Sequence, residues 1–416
     1  MATELYGRVA VRSTQLKELL GGETGVVVAA VVTFLMTGAE ELWKRFLPRY
    51  LSALGAPVMA VGAFGTMRDL ADGLLQYPGG WVTDHFGRRT ALRSFILLAA
   101  TGYVVYLLAP SWSLAFLALP LVMCWSSAAS PTVFAIIGDA LPSHRRTAGF
   151  TVQSITRRIP ISIAPALGGL LIARYGVQAG VRAGLAVAIV AAAVAVAIAA
   201  RVPSGLPSTG RTSISLTTPG VLRSMRAVWQ QMPPPLRRLL ASDVLVRTCE
   251  SLVDVFVVLY ATEVLGVSAP RFGALVSIQM VSSMLVYFPA VALARRIGRK
   301  PLVVATFVAF ALFPLAIIAA KGFAGLVIAF VVGGLRETGE PARKAVIVDL
   351  ADPTRRGRTT GLYYLLRSLS ITPAALIGGA LWGVRPELPF VAAGFIGLVG
   401  AIVFAMTVPS SDIATT

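Results

Sequence analysis

Negative charge, histidine and cysteine are all scarce in this chain. Of its 416 residues only 19 are Asp or Glu, against 37 Lys or Arg, and there are 2 His and 2 Cys. Charged residues reach 13%, about half the ~25% usual in soluble domains. Cys124 and Cys249 both fall in apolar stretches, where a thiol acts as a small core residue, so no disulfide framework is expected. His85 and His144 lie between apolar stretches, which excludes a histidine-based metal site, and no metal or other cofactor is expected. No Gly-rich loop ending in Lys-Ser or Lys-Thr is present, so ATP is not the expected energy source. A nucleophile–base constellation is also missing, and the chain does not read as an enzyme. Residues 1–24 are of mixed character with no cleavable signal pattern, and the apolar stretch after them is too long for a signal peptide.

What the chain has in abundance is long hydrophobic runs. Hydrophobic residues make up 56% of it and the mean hydropathy is +0.77. A bilayer-crossing helix needs roughly 20 mostly apolar residues. Twelve such spans are predicted, at 25–46, 58–80, 91–109, 114–141, 148–173, 181–200, 239–263, 271–294, 302–320, 323–350, 360–384 and 388–408. An all-α membrane protein with membrane lipids as its surroundings follows. The net charge of +18 does not point to nucleic acid, because the basic residues sit in short clusters between spans. One set of loops carries Arg88-Arg89, Arg145-Arg146, Arg237-Arg238, Arg295-Arg296, Arg299-Lys300 and Arg355-Arg356, with Arg8, Arg12 and Lys17 before the first span. The opposite set carries only Lys44, Arg45, Arg49, Arg174, Arg182, Arg271, Lys321 and Arg385. By the positive-inside rule both termini are expected in the cytoplasm, with the chain in the plasma (inner) membrane.

The spans repeat. At an offset of about 210 residues Glu40 falls on Glu250, Tyr50 on Tyr260, Pro131 on Pro341, Asp139 on Asp349, Arg157 on Arg367, and Gly168-Gly169 on Gly378-Gly379. One residue further, Gly62 falls on Gly273, Pro78 on Pro289, Gly87 on Gly298 and Arg88 on Arg299. Two membrane-embedded halves related in this way are typical of transporters with a site between them. The expected organisation is a cytoplasmic segment 1–24, a six-helix bundle 25–200, a cytoplasmic linker 201–238, a second six-helix bundle 239–408 and a tail 409–416. Within the linker Val221, Leu222, Met225, Val228 and Met232 recur at helical spacing after Thr218-Pro219, which predicts either a short helix on the membrane surface or a flexible tether.

After span 2 comes Gly80-Trp-Val-Thr-Asp84-His85-Phe-Gly87-Arg88-Arg89, with a twin loop Arg295-Arg296-Ile297-Gly298-Arg299-Lys300 after span 8. This loop resembles the signature of the major facilitator superfamily, and the resemblance covers essentially the whole chain. It implies two pseudo-symmetric six-helix bundles that alternate access to a central cavity. It also implies a gating role for Gly80, Asp84, Gly87, Arg88 and Arg89, beside the plainer role of setting topology. Gly80 is expected to permit close helix approach, and Asp84 to accept hydrogen bonds near a helix N-terminus. The twin loop has no acid matching Asp84, so any latch is expected to be asymmetric. In span 5, Ala164-Pro165-Ala166-Leu167-Gly168-Gly169 resembles the Gly-Pro-x-x-Gly-Gly motif of the drug/proton antiporter branch, with Ala in place of the first Gly. Pro373 and Gly378-Gly379 form a looser copy in span 11. Close helix packing alone would also account for the motif.

Charge inside a span costs several kcal/mol unless it faces a cavity or a partner. Span 7 carries Asp243, Arg247, Glu250 and Asp254 at i, i+4, i+7 and i+11, one stripe of a helix. Span 1 carries Glu40 and Glu41 with Lys44 and Arg45 one turn on. The resemblance implies that spans 1 and 7 face each other across the pore, so Glu40, Glu250 and Asp254 are the candidate proton carriers. Span 2 carries Arg68, Asp69 and Asp72, with neutral residues at the matching positions of span 8. Span 10 carries Arg336, Glu337, Glu340, Arg343 and Lys344 around Gly339 and Pro341, and a broken, charged helix is a common ligand site. Candidate substrate contacts are Asp69, Asp72, Arg157, Arg158, Arg247, Arg336, Glu337, Glu340 and Arg367, although structural ion pairing would explain many of them.

The resemblance, taken with these charged residues, implies a proton-coupled antiporter, working as a monomer, that exports a small polar or amphipathic molecule. Three alternatives stand beside it: proton-coupled uptake of a charged metabolite, metal-ion export through the acids, and a lipid flippase or non-transporting sensor.

Overall fold

A computed structural model describes residues 24–141, 146–202, 226, 229–350 and 356–408. Among these every regular element is a helix. The elements are α1 (Thr24–Lys44), α2 (Leu47–Ala53), α3 (Val58–Phe86), α4 (Arg88–Leu108), α5 (Trp112–Met123), α6 (Ala129–Ala140), α7 (Arg146–Tyr175) and α8 (Val177–Ala199). They continue with α9 (Pro234–Val253), α10 (Val257–Leu259), α11 (Ala269–Ile297), α12 (Arg299–Ala319), α13 (Gly322–Leu335), α14 (Glu340–Asp349), α15 (Arg356–Ile371), α16 (Ala374–Val384) and α17 (Leu388–Thr407).

Burial runs opposite to that of a soluble protein. Leu117 and Met406 are 75% and 80% exposed, while Asp243 and Arg343 are 0% and 1% exposed. A surface of bare Leu, Phe and Met is stable against acyl chains, and backbone polar groups in that setting must be satisfied within helices. Nine helical stretches are long and apolar enough to cross a bilayer among the described residues. Spans 2, 7 and 10 fall outside that set; they are the ones carrying the Arg68, Asp243–Asp254 and Arg336–Lys344 charge clusters.

Several spans predicted as single helices are interrupted. Span 4 divides into α5 and α6 around a π-helical turn, Cys124–Ala128. Span 10 divides into α13 and α14, and Glu340 opens the second piece. The two breaks coincide at the repeat offset, since Ala129 and Gly339 are twins. At the second break Gly339 lies against the backbone of Leu302, and its N–H donates to Thr306 Oγ1 at 2.5 Å. Span 7 ends its regular helix at Val253, then continues through α10 and a π turn, Tyr260–Val264. Span 2 runs six residues past its predicted end, to Phe86, where Gly87 turns the chain at φ 81°. Gly298 does the same at φ 84° before α12. Backbone with positive φ suits glycine, which has no Cβ to clash.

The described chain forms two compact units that do not follow the sequence halves. One holds residues 24–44, 74–164 and 179–202; the other holds 45–73, 165–178 and 226–408. In the second unit Gly62 on α3 lies against Ala375 and Gly379 of α16, and Gly273 on α11 lies against Pro165 and Ala166 of α7. These are twin contacts by the repeat. The proline-glycine segments of spans 5 and 11 are therefore close-packing surfaces here. Of the expected linker helix, residues 203–225 and 227–228 lie outside the described part. Met232, expected on the membrane surface, is instead buried in a core with Leu236, Leu239, Phe307 and Tyr363.

Candidate functional site

In the second unit the break between α13 and α14 aims charge at the α9 stripe. Arg343 donates from Nη1 to Asp243 Oδ2 at 2.6 Å and from Nη2 to Glu340 Oε1 at 2.6 Å. Arg247 reaches Glu250 Oε2 at 2.8 Å and Glu340 Oε2 at 3.0 Å. Arg336 meets the other oxygen of Glu250 at 3.4 Å and lies over the ring of Phe313 at 4.4 Å. From α15 the Tyr363 hydroxyl donates to Asp243 Oδ2 at 2.9 Å, and Arg367 stands 3.6 Å from the same oxygen. This is a continuous buried network linking three helical segments. Removing one member would leave a charge without its partner in a medium that cannot solvate it.

The α9 stripe is divided. Asp254, expected in line with the other three, turns to α3, where Arg68 Nη2 donates to it at 2.8 Å and to Asp69 at 3.0 Å. Ser251 closes this second cluster by donating to Asp69 Oδ2 at 2.6 Å. Asp72, on the same helix, is exposed. Glu337, on the turn before α14, is half-buried.

The first unit carries an open pocket lined by Thr33, Thr37, Glu40, Glu41 and Lys44 of α1, by Trp125, Ser126, Ala129, Ser130 and Val133 of the π turn and α6, and by Gln153, Arg157 and Ile161 of α7. Glu40 and Glu41 are buried, and Lys44 sits 3.2 Å from Glu40. Arg157 is exposed at this pocket, and Arg158, one residue on, is half-buried. Eight of the lining residues are repeat twins of members of the second unit's ionic network. Thr33, Thr37, Glu40, Ser126, Ser130, Val133, Gln153 and Arg157 correspond to Asp243, Arg247, Glu250, Arg336, Glu340, Arg343, Tyr363 and Arg367. The same place in the fold is filled by ion pairs in one unit and left as polar space in the other.

At the signature loop Arg88 donates to Asp84 at 2.7 Å, to Asp139 at 3.0 Å and to the Thr83 carbonyl at 3.1 Å. The twin loop has the same device: Arg299 reaches Asp349 at 2.5 Å. The expected asymmetry is thus partial, since the Asp139 contact has a twin in the second loop whereas the Asp84 contact has none among the described residues. Close approach falls on Gly79 and not on Gly80: Gly79 is against the Ala128 backbone, whereas a side chain at Gly80 would meet open space. Thr83 holds that approach by donating to the Gly79 carbonyl at 2.7 Å and sharing a 2.6 Å hydrogen bond with Thr132. Gly87 supplies the turn, and Arg89 is half-buried beside Arg88.

Thr33, Gln153 and Tyr363 carry no charge and so escaped the sequence reading, while Asp139 and Asp349 announced themselves only as a repeat pair. Among the described residues no group of three or more His, Cys, Asp or Glu side chains converges to hold a metal ion.

An all-helical chain with an apolar exterior and sequestered, paired charge is an integral, multi-pass membrane protein. A profile of the Major Facilitator Superfamily matches residues 29–246 and 239–415, and the chain belongs to that superfamily of membrane transporters. It is 20% identical over 384 residues to an uncharacterised MFS-type transporter of Methanocaldococcus jannaschii, covering 91% of this chain and 93% of that one. Its fold resembles a crystallised variant of the nucleoside transporter NupG (TM-score 0.74, 15% identity, 92% and 100% of the two chains). It is also similar to a D-xylose-proton symporter (TM-score 0.72, 15% identity, 94% and 99%). A third solved fold like it is the peptide transporter POT in complex with sulfate (TM-score 0.71, 16% identity, 92% and 94%). This chain is accordingly a membrane transporter and not an enzyme.

Proposed function

We propose that this transporter is a proton-coupled antiporter exporting a small polar or amphipathic molecule by alternating access. It works as a monomer in the plasma (inner) membrane, with twelve spans in two bundles (25–200 and 239–408) and both termini cytoplasmic. The observation that carries this is Glu40: a buried carboxylate on the wall of a polar pocket inside a lipid-exposed unit. An ionisable group at such a place is costly and is retained where it handles ions or substrate. In this scheme the pocket gives Glu40 a route to solvent, and the arriving proton takes the place of Lys44, its partner at 3.2 Å. Glu250 and Asp254 serve a different part in this scheme. Each is engaged by arginine, Glu250 by Arg247 and Arg336 and Asp254 by Arg68, so they act as the pairs that break and re-form between states. Asp84 and Arg88 do so at the loop. Export, as opposed to uptake, is favoured by the antiporter-like Pro165 to Gly169 segment.

Uptake in symport with protons is the second reading, because one of the similar folds is named a D-xylose-proton symporter. Metal export has no converging acid set among the described residues to support it. Proteoliposomes with a pH-sensitive dye inside separate the two readings. Nucleosides, pentoses, dipeptides and small organic acids would be supplied outside in turn. Alkalinisation of the lumen on substrate entry supports antiport. Acidification supports symport and overturns export. No proton movement with any transported compound overturns coupling altogether.

A further inference from the structure

The two units solve the same position in opposite ways, and the difference specifies a ligand chemistry. In the second unit the Asp243 carboxylate is the hub: Tyr363 donates to it at 2.9 Å, Arg343 at 2.6 Å, and Arg367 is 3.6 Å away. In the first unit its twin is Thr33, so the carboxylate is gone, but two of the three groups around it keep a donor. Gln153 stands for Tyr363 and Arg157 for Arg367, whereas Val133 replaces Arg343. The space so vacated is the pocket. Thr33 is 3% exposed and its hydroxyl has no hydrogen-bond partner, although it lines that pocket. A buried hydroxyl left unpaired carries an uncompensated desolvation cost, which a ligand atom would recover. Among the described residues Arg157 has no ion-pair partner either, in contrast to Arg367.

We infer that the corner formed by Thr33, Gln153 and Arg157 binds an oxyanion of the transported molecule, a carboxylate or a phosphate, where the second unit holds its own Asp243 carboxylate. This rests on the pocket being the transport site, as proposed above. Planar guanidinium and an amide are the donor set that oxyanions use best. Glu40 does not oppose the anion strongly. It lies two turns along α1 from Thr33, about 10 Å by the helical rise, and Lys44 offsets its charge. Glu41, beside it on α1, also lines the pocket.

The test uses the full-length protein in detergent, with thermal unfolding followed in sodium phosphate, sodium succinate and sodium chloride at equal ionic strength. The expected result is a saturable upward shift with phosphate or succinate over chloride, lost in Arg157→Gln and partly kept in Arg157→Lys. Thr33→Asp supplies the carboxylate covalently; it should raise the unfolding temperature without added anion and abolish the response. Each comparison is made within one variant, so a variant of altered stability still reports. An unchanged anion response in both Arg157→Gln and Thr33→Asp overturns the inference. So does an Arg157-dependent shift seen only when phosphatidylglycerol nanodiscs replace phosphatidylcholine ones, which would make the anion a lipid headgroup. Uptake assays in proteoliposomes keep the two ideas apart. Robust transport of a neutral nucleoside or pentose with no anion response sinks the oxyanion site alone. An Arg157-dependent anion response without transport of any compound tested sinks the transport reading and leaves the site.

Discussion

Asp243 is the residue on which most of the second unit's ionic order depends. It is fully buried and meets Arg343, Tyr363 and Arg367. Replacement by Ala would leave Arg343 with Glu340 as its one carboxylate and take the carboxylate from beside Arg367, and breaking one partner of a buried pair costs about 3–5 kcal/mol. Thermal unfolding of Asp243→Ala should show that loss, whereas Asp84→Ala, whose carboxylate is exposed, should fall within about 1 kcal/mol of wild type. Adjacent glycines offer a sharper contrast. A methyl at Gly79 collides with the Ala128 backbone, which cannot move aside as a side-chain tip can, so Gly79→Ala should cost about 1–3 kcal/mol. Gly80→Ala should be neutral or slightly stabilising, measured the same way, because nothing lies within 4 Å of the added methyl. The spacing of the signature loop could not make this distinction: two neighbouring residues on a helix point about 100° apart, and only the position of α5 and α6 decides which is crowded.

The broken helices are what bring the charges together. Were span 10 continuous, Glu340 and Arg343 would be carried on an uninterrupted wheel; the turn before Glu340 instead opens α14 with Glu340 and lets Arg343 reach α9. Gly339 and Pro341 made a weak point visible in the sequence, but not its shape, since that depends on Leu302 and Thr306 of α12 packing against the break. Span 4 gave no such sign beyond its repeat register, and its π turn emerged only in three dimensions. At the same scale, the Arg88–Asp139 and Arg299–Asp349 pairs each tie the start of one helix to the end of another. Arg299 and Asp349 are partly solvated, so reversing the pair (Arg299→Glu with Asp349→Arg) should change stability by less than about 1 kcal/mol. Transport is the more sensitive readout: each single change should slow uptake in proteoliposomes, and the reversal should restore it. Equal rates in the single variants would remove these loops from gating.

For the molecule as a whole, the halves are duplicates in topology and specialists in chemistry. One is knit by ion pairs, the other offers polar space. If Glu40 carries the coupling proton, Glu40→Gln should lose accumulation driven by a pH gradient while still exchanging labelled for unlabelled substrate across proteoliposomes at equal pH. Loss of both activities would make Glu40 a substrate contact, and retention of both would remove it from coupling. Hydropathy, the spacing of basic clusters and the repeat pointed to a membrane-spanning helical duplicate, because the bilayer forces every backbone polar group into local hydrogen bonds and so makes each span legible one at a time; the superfamily entered through the resemblance of the Gly80–Arg89 loop to its signature. Pairing was not legible in that way. That Asp254 would leave its stripe for Arg68, that Gly79 would bear the contact, and that Thr33 would line an open corner all depend on which distant helices pack side by side. Such contacts join residues far apart in the chain, and no local spacing encodes them.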